Sequence, residues 1–346
     1  MNVAPGRPAV RPPSVDRAAL VASARDSIRK GSRSFAAASR LFDRETRERV
    51  WLLYAWCRAC DDISDEQDHG HALPPAPPGT RLAPENRLAT IRTLTELALA
   101  GEPTGTPAFD ALGQLAREVR ITPGMVEDVL AGFALDAAGW RPDTEADLLR
   151  YCFHVAGAGG GPRGGGLGGS PRGRGVSPDD DDTLDRASDL GVAFQLGNIV
   201  RDIRDDDIGG RCYLPAAWLE AAGIDPDAIM EPRHRPALVG LVARACALAR
   251  GYEASARVGA ARLAFRQRWA VLSAAGIYGA IARKVEQLGV SAWERRVRTG
   301  ALAKLGLVME ALGEARGPAP LAGKPALSRR ELAAIARRSS DPRREP

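Results

Sequence analysis

Two segments far apart in the chain carry aspartates whose spacing suits a bound metal ion. The first segment has five polar side chains at or beside steps of three and four residues: Tyr54, Arg58, Asp61, Asp62 and Asp65. Side chains at such steps share one face of a helix. Carboxylates arranged in this way suit Mg²⁺, a hard cation that keeps several waters and bridges to phosphate groups. The segment therefore predicts a divalent-cation site.

The second segment repeats this polar stripe. Four of its side chains fall at the same steps: Gln195, Asn198, Asp202 and Asp206. The other faces of both segments are apolar, as Leu52 and Ile199 illustrate, so inward-pointing carboxylates would need a compensating charge. One acidic run is most often a solvated helix face, but two matched runs within apolar sequence favour a shared site.

The two acidic runs can act together only if their helices face each other in a bundle, with both runs at the mouth of one cavity. Metal ions held there would neutralise the charge of a departing diphosphate, which is the chemistry that the pattern predicts. This prediction requires Asp61 and Asp65 to converge with Asp202 and Asp206 at one opening.

Helical periodicity runs through most of the chain, so the predicted fold class is all-α. Apolar residues recur at steps of three and four in the segments 14–30, 44–67, 84–100, 125–138, 145–157, 183–206, 235–258, 267–288 and 301–312. Aromatic residues make up only 5% of the chain while Ala and Leu are abundant, which favours helices over a β-sandwich. No strand alternation is evident, and residues 71–84 are rich in proline and are predicted to form a surface loop.

The 346 residues are predicted to form one domain with two tails. We expect a disordered N-terminus at 1–13, a single helical domain at 14–316 and a mostly mobile tail at 317–346. Within that tail a short helix is predicted near 328–338.

Charge and cysteine usage exclude several classes of protein. The formal net charge is +5 and the arginines are scattered, so no nucleic-acid partner is expected. Five cysteines, an odd and sparse set, indicate reduced thiols in a cytoplasmic protein. The first residues lack the apolar core of a secretory signal, and no run of about 18 apolar residues predicts a membrane span. Peripheral contact with the inner membrane stays open.

Longer motifs around both acidic runs resemble the signatures of the squalene/phytoene synthase family. They read Tyr-Ala-Trp-Cys-Arg followed by Asp61-Asp62-x-x-Asp65, and Phe194-Gln-Leu-x-Asn-Ile-x-Arg-Asp202-x-x-Asp-Asp206 followed by Gly-Arg-Cys-Tyr-Leu-Pro. The similarity extends from Gly31 to about Leu312, most of the chain. The tryptophan in the first motif and the Arg-Cys-Tyr-Leu-Pro run are more similar to phytoene synthases than to squalene synthases.

The resemblance implies an isoprenoid-synthase-type helical bundle with a central apolar cavity. It implies that Mg²⁺, or alternatively Mn²⁺, is held by Asp61, Asp62, Asp65, Asp202, Asp205 and Asp206. It assigns diphosphate contacts to Arg58, Arg201 and Arg211, and positions beside the second metal cluster to Gln195 and Asn198. The aromatic positions near the reacting carbons are Tyr54, Tyr151 and Tyr278. A shorter Gly-Ser-x-Ser-Phe motif adds Ser32 and Ser34.

The reaction implied by the resemblance joins two geranylgeranyl diphosphates head to head, through a cyclopropylcarbinyl diphosphate, to phytoene, without ATP or NADPH. Other enzymes of carotenoid synthesis are the protein partners that this implies. The alternative enzyme is a squalene- or dehydrosqualene-type synthase acting on the shorter farnesyl diphosphate. A non-catalytic helical module that binds divalent cations is the alternative outside enzymes.

A Cys-x-x-Cys pair invites a different interpretation. Cys57 and Cys60 have His69 and His71 nearby, a set that could ligate zinc. The cysteines share the helix of the first aspartates, and the histidines follow in a predicted loop. We therefore set the zinc interpretation aside.

Residues 157–175 break the helical pattern. Of these 19 residues 11 are glycine, and arginine and proline fill most of the rest, a composition that cannot form a stable helix. By resemblance, this stretch should continue as an apolar helix that lines a hydrophobic tunnel. Our hypothesis is a compensated reading-frame error in the gene or its sequencing, because a GC-rich frame shifted by one base gives such residues. Resequencing of the coding region tests it, and a confirmed frame that retains the glycines would refute it.

Overall fold

Apolar residues at helical spacing dominate the sequence, and the chain folds accordingly into α-helices. The computed structural model describes residues 16–65, 67–68, 71–72, 82–119, 121–157, 181–321, 325 and 327–339. Residues 1–13 and 73–81, the stretch 158–180 that contains most of the glycine-rich segment, and the end of the tail lie outside these ranges. The predictions made for them therefore stay predictions.

The helices and strands have the following bounds in chain order. The first half contains α1 (Arg17–Gly31), α2 (Arg33–Ser39), α3 (Arg44–Asp65), β1 (Gln67–Asp68), β2 (His71–Ala72), α4 (Pro84–Ala100), α5 (Pro107–Glu118), α6 (Pro123–Ala137), α7 (Glu145–Cys152) and a π-helical turn (Phe153–Gly157). The second half contains α8 (Asp181–Ile208), α9 (Ala216–Ala221), α10 (Arg235–Ala260), α11 (Phe265–Leu288), a 3₁₀ turn (Gly289–Ser291), α12 (Ala301–Arg316) and α13 (Arg329–Ser339).

The all-α prediction is confirmed, and the predicted helices are found with small shifts at their ends. In the described ranges β structure is limited to the antiparallel pairing of β1 with β2, which puts His71 in a strand where a loop was expected. The sequence reasoning missed α5, although Thr106 precedes it, Pro107 occupies its first turn and apolar residues recur along it. It also missed the short helices α2 and α9.

Helix α8 forms the centre of the bundle and contacts α7, α10, α11, α13 and the π-helical turn. Its middle is apolar on most sides, with Val192, Leu196 and Val200 buried, as expected for a helix enclosed by others. At Gly191, α8 approaches the π-helical turn so closely that an added Cβ would lie 2.6 Å from the carbonyl carbon of Ala156. Glycine is required there because any larger residue would push the two elements apart.

The C-terminal helix α13 packs onto the bundle beside α7 and α8. Its Leu332 is fully buried in the main apolar core. The Arg329 guanidinium donates to Asp185 of α8 over 2.8 Å, and the Tyr252 hydroxyl donates to the Leu327 carbonyl over 2.9 Å. The short helix predicted near 328–338 therefore exists, held by Leu332 and by hydrogen bonds at its N-terminal end. None of the described helices is long and apolar enough to cross a bilayer.

Candidate active site

The two acidic runs lie at the ends of α3 and α8, and these helix ends meet at one arginine. The Nη1 atom of Arg211 lies 3.4 Å from Oδ1 of Asp65, and its Nη2 atom lies 3.7 Å from Oδ1 of Asp206. Arg211 reaches this position because α8 ends in a tight turn, with Gly210 in the left-handed region (φ 70°) and the Arg211 amide donating to the Asp206 carbonyl. The structure thus brings one aspartate of each run to the same guanidinium.

In the first run, Arg58 lies near the other two aspartates. Its Nη1 atom lies 3.5 Å from Asp61 and 3.8 Å from Asp62, the distances of loose ion pairs. Burial raises the pKa of Asp61 to about 7; Arg58 opposes this shift, and the charges of Asp65 and Asp62 add to it. The pKa of Asp65 is raised too, mainly by burial, with Arg211 opposing. For Asp61 and Asp65, burial therefore outweighs the stabilising effect of the neighbouring arginines.

In the second run, arginines approach the aspartates more closely. Asp202 accepts a hydrogen bond from Arg201 Nε over 2.8 Å and another from Arg296 Nη2 over 3.0 Å. Asp205 is exposed on the next turn. Burial raises the pKa of Asp206 to about 7, against the effect of Arg211 and with the help of Asp202. Arg296 comes from the segment after α11 and had no signal in the sequence.

The amides predicted beside the second run lie one and two turns before Asp202. Asn198 donates from Nδ2 to Oε1 of Gln195 over 3.4 Å, and both side chains are partly buried. They extend the polar stripe of α8 away from the helix end. Their position matches the spacing read from the sequence.

Tyr54 and Tyr278 lie beside the arginines and next to the junction of α1 and α2. The Tyr278 hydroxyl is 3.4 Å from Ser32 Oγ, and its ring stacks on Phe194 at 4.2 Å between centroids. Gly31 leaves room for the Tyr54 hydroxyl, because an added Cβ would clash with that oxygen. The side chain of Ser34 lies outside the described part of the structure.

Three buried polar atoms in this region have no hydrogen-bond partner among the described residues: Tyr54 Oη, Arg58 Nε and Arg211 Nε. Buried donors without partners are rare in folded proteins and point to an absent ligand or water. All three belong to residues that the sequence placed at a metal and diphosphate site. An anionic ligand would satisfy them.

Asp136, at the end of α6, is a site residue that the sequence reasoning missed. Its Oδ1 atom accepts hydrogen bonds from the hydroxyls of Tyr151 and Tyr213, each over 2.9 Å. The two tyrosine rings stack at 4.8 Å, and Tyr151 also stacks on Trp140. Burial raises the pKa of Asp136 to about 6, although both tyrosine hydrogen bonds oppose the shift. The one available signal was an acid within the apolar run Phe-Ala-Leu-Asp of a predicted helix.

Known proteins with similar sequences show which family has this arrangement. Residues 28–302 match the family model described as squalene/phytoene synthase. The chain is 43% identical to a 15-cis-phytoene synthase of Pantoea ananas, over 86% of this chain and 92% of that protein. It is 42% identical to a phytoene synthase of Pseudescherichia vulneris, over 88% of this chain and 93% of that one. The chain belongs to the squalene/phytoene synthase family.

A solved structure supports the fold of this squalene/phytoene synthase family member. A dehydrosqualene synthase in complex with a ligand superposes with a TM-score of 0.72 at 25% identity, covering 86% of this chain and 96% of that one. The predicted isoprenoid-synthase-type bundle is thereby confirmed, as is the resemblance to bacterial phytoene synthases.

The candidate metal ligands of this family member are carboxylates, which suit a hard cation, although they are paired with arginines in this structure. The described residues contain no group of three or more His, Cys, Asp or Glu side chains arranged to hold a metal. The side chains at the two helix ends nevertheless offer only carboxylate oxygens, the ligands that Mg²⁺ prefers. Cys57 and Cys60 lie on the same helix as the first aspartates, while His69 of the zinc interpretation lies outside the described ranges.

The cavity at this site is small: it is lined by Asp206, Arg211 and Tyr213 and has about 10 Å³, roughly the space of a single water molecule. A second cavity of similar size lies farther along the bundle, between α8, α10 and α11. Phe194, Cys246 and Gly279 contribute to its walls. The wider apolar cavity that binds a prenyl chain stays a prediction, because residues 158–180 lie outside the described ranges.

Proposed function

We propose that the protein is a phytoene synthase, which joins two geranylgeranyl diphosphates head to head and releases diphosphate. The observation that carries the proposal is the meeting of α3 and α8 at Arg211, with an aspartate of each acidic run beside it. The relatives at 42% and 43% identity, named phytoene synthase and 15-cis-phytoene synthase, support the same reaction. The catalytic domain is proposed to span 14–316.

The proposed metal ligands are Asp61, Asp65, Asp202 and Asp206, with Asp62 and Asp205 assisting. Mg²⁺, or Mn²⁺ in its place, would supply the positive charge that stabilises a leaving diphosphate. The chain's own part is to hold carboxylate oxygens at the ends of two helices, where arginines now occupy them. Oxygen ligands of this kind favour Mg²⁺ over softer ions.

The proposed diphosphate contacts come from Arg58, Arg201 and Arg211, together with Arg296. Arginine guanidinium groups bind phosphate oxygens through two parallel hydrogen bonds. The unpartnered Nε atoms of Arg58 and Arg211 are available donors for such contacts. Gln195 and Asn198 would border the second diphosphate, and Ser32 and Ser34 would lie near the first.

The aromatic residues are proposed to face the reacting carbons. When the first allylic C–O bond breaks, the cation formed is attacked by the double bond of the second substrate, and loss of a proton closes the cyclopropane. The second C–O bond then breaks, and rearrangement with loss of another proton gives phytoene, with no reduction step. Tyr54 and Tyr278 would stabilise these cations and keep water out. Tyr151, whose ring is stacked on Trp140 and Tyr213, would form the wall behind them.

A product assay tests this proposal. The purified protein is incubated with Mg²⁺ and either geranylgeranyl or farnesyl diphosphate, with and without NADPH, and the extracted lipids are identified by mass. Phytoene formed from the longer substrate, independently of NADPH, is expected. Squalene or dehydrosqualene from the shorter substrate would instead favour the second candidate, to which the fold similarity with a dehydrosqualene synthase points.

The proposed location is the cytoplasm, with peripheral contact to the inner membrane. Substrate and product are both lipids, and phytoene has no polar group, so release into water would be unfavourable. Other enzymes of carotenoid synthesis are the proposed protein partners, since they would take up this product.

A further inference from the structure

Helix α12 is apolar on both its inner and its outer face. On the inner face Ala311 and Ala315 are buried against α11, where Trp269 Nε1 donates to the Val308 carbonyl over 2.9 Å. On the outer face Leu302, Leu305 and Met309 keep 86%, 59% and 55% of their surface exposed. A surface helix usually turns a polar face outward. The fold alone does not account for three large apolar side chains in solvent.

Cations occur on α12 itself and in the segment directly before it, and we call this set together with the exposed apolar residues the α12 surface. It comprises the three exposed apolar residues with Arg295, Arg298, Lys304 and Arg316. Two exposed acids, Glu294 and Glu310, lie among them. Glu314 is turned inward and pairs with Arg257. Positive charge therefore exceeds negative charge around the apolar stripe.

The segment that leads into α12 contacts the acidic opening. Arg296, which donates to Asp202, precedes the start of α12 by a few residues. The same segment is fixed to α8 on its inner side, because Trp293 Nε1 donates to the Val200 carbonyl over 2.9 Å. A surface that covered the outer face of α12 would therefore border the site where substrates bind.

We infer that the α12 surface docks on a lipid bilayer with anionic headgroups, with α12 lying in the plane of the membrane interface. Its exposed leucines and methionine would enter the acyl boundary, and the surrounding arginines and lysine would contact the headgroups. A second copy of the chain fits less well, because a two-fold interface would bring the cations of each copy against those of the other. The inference rests on the proposed function only in that substrate and product are lipids.

Vesicle flotation without substrate tests the α12 surface. The full chain is mixed with phosphatidylglycerol-containing vesicles or with pure phosphatidylcholine vesicles and centrifuged through a density gradient. The wild type is expected to float with the anionic vesicles. The variant Leu302→Glu/Leu305→Glu should lose at least about tenfold of that binding, and Arg295→Gln/Arg298→Gln at least about fivefold.

The matched control is Ala19→Glu/Ala22→Glu, which adds two acids at the same spacing on the exposed face of α1. It should float within about twofold of the wild type, and circular dichroism melts should show that all variants fold. Equal flotation of both glutamate variants, or no flotation of the wild type, would overturn the inference. A different result would also overturn it. In that case light scattering would detect a wild-type dimer, and Leu302→Glu/Leu305→Glu would dissociate the dimer without changing vesicle binding. Product formation in detergent is measured separately, so a failure of the proposed function is distinguishable.

Discussion

The two ends of helix α8 carry acidic runs of similar spacing that differ in how their charge is compensated. At the start, Asp182 accepts a hydrogen bond from Arg186 over 3.0 Å, and this bond lowers the pKa of Asp182. At the end, Asp206 has Arg211 only at 3.7 Å, and burial raises the pKa of Asp206 to about 7. The charge of Asp182 is therefore compensated within the protein, whereas that of Asp206 is compensated only in part.

The backbone of the helix increases this difference. Carboxylates near a helix start are stabilised by the partial positive charge there, and carboxylates near a helix end are destabilised by the partial negative charge. The run that ends α8 is Asp202, Asp205 and Asp206, and the run that ends α3 is Asp61, Asp62 and Asp65. Both therefore stand at the unfavourable end. Acidic runs of the same residue type are therefore stabilised differently at the two ends of a helix.

The largest expected effect is on product formation, when single aspartates near the two ends of α8 are replaced by asparagine. Asp202→Asn should lower product formation by about a hundredfold or more, because the variant loses a charge that would hold the metal opposite the leaving group. Asp61→Asn should do the same. The control Asp182→Asn, on the same helix, should stay within about twofold of the wild type. Steady-state product assays at saturating Mg²⁺ measure this, and similar losses for Asp182→Asn and Asp202→Asn would break the comparison.

Substitutions of Asp136 test whether the structure around the acidic opening depends on a buried acid from a third helix, α6. Asp136→Leu should lower the free energy of unfolding by about 2–5 kcal/mol, because two buried tyrosine hydroxyls lose their acceptor. Asp136→Asn keeps an acceptor oxygen and should cost less. Urea unfolding of both variants, followed by product assays, measures the effects. Equal destabilisation by both variants would show that the negative charge, and not the acceptor oxygen, matters.

The sequence predicted the candidate site better where its residues lie on one helix than where they lie on several. The stripes of α3 and α8 followed from helical spacing alone, since each set of side chains shares a helix face. The contacts of Asp136 could not be predicted, because its partners Tyr151 and Tyr213 come from different parts of the chain. The pairing of Arg296 with Asp202 joins α8 to a segment after α11 and left no local pattern.

The helices, like the polar stripes, could be predicted where the spacing of apolar residues extends over several turns. Long helices such as α4, whose predicted and observed bounds coincide at 84–100, carry enough turns for the apolar steps to be recognised. Shorter ones such as α2, with seven residues, are formed largely by contacts with neighbours, and so their sequence signal is weak.

A smaller effect is expected from Asp189, a buried acid in the first half of α8. Asp189 is 2% exposed, and its Oδ2 accepts a hydrogen bond from Ser255 Oγ over 2.5 Å. Burial raises the pKa of Asp189 to about 7, above the value near 3.9 of an unfolded chain. Because the folded state binds this proton more tightly, its contribution to stability is greatest below about pH 4 and is lost as the pH rises to about 7.

Asp189→Asn should therefore be more stable than the wild type at pH 8, by up to a few kcal/mol, since each pKa unit corresponds to about 1.4 kcal/mol. The asparagine stays neutral and can still accept from Ser255. The advantage should shrink as the pH is lowered towards 4. Guanidinium unfolding at several pH values measures it, and an advantage that does not change with pH would show that the charge of Asp189 is not its cause.

The smallest effect is expected from exposed carboxylates at the two ends of α8, and it should differ in sign. Asp205→Asn, at the helix end, should raise the free energy of unfolding by about 0.5 kcal/mol in metal-free buffer, because it removes a charge from the negative end of the helix. Asp182→Asn, at the helix start, should lower the free energy of unfolding by about 0.5–1 kcal/mol. It removes ion pairs with Arg186 and Arg262 as well as a favourable contact with the helix start.

Replicate urea unfolding curves at low ionic strength measure both changes in the free energy of unfolding. Both changes should shrink at about 1 M NaCl, where charges are screened within about 3 Å. Effects of the same sign would mean that neighbouring side chains, and not the position along α8, decide how each run is stabilised.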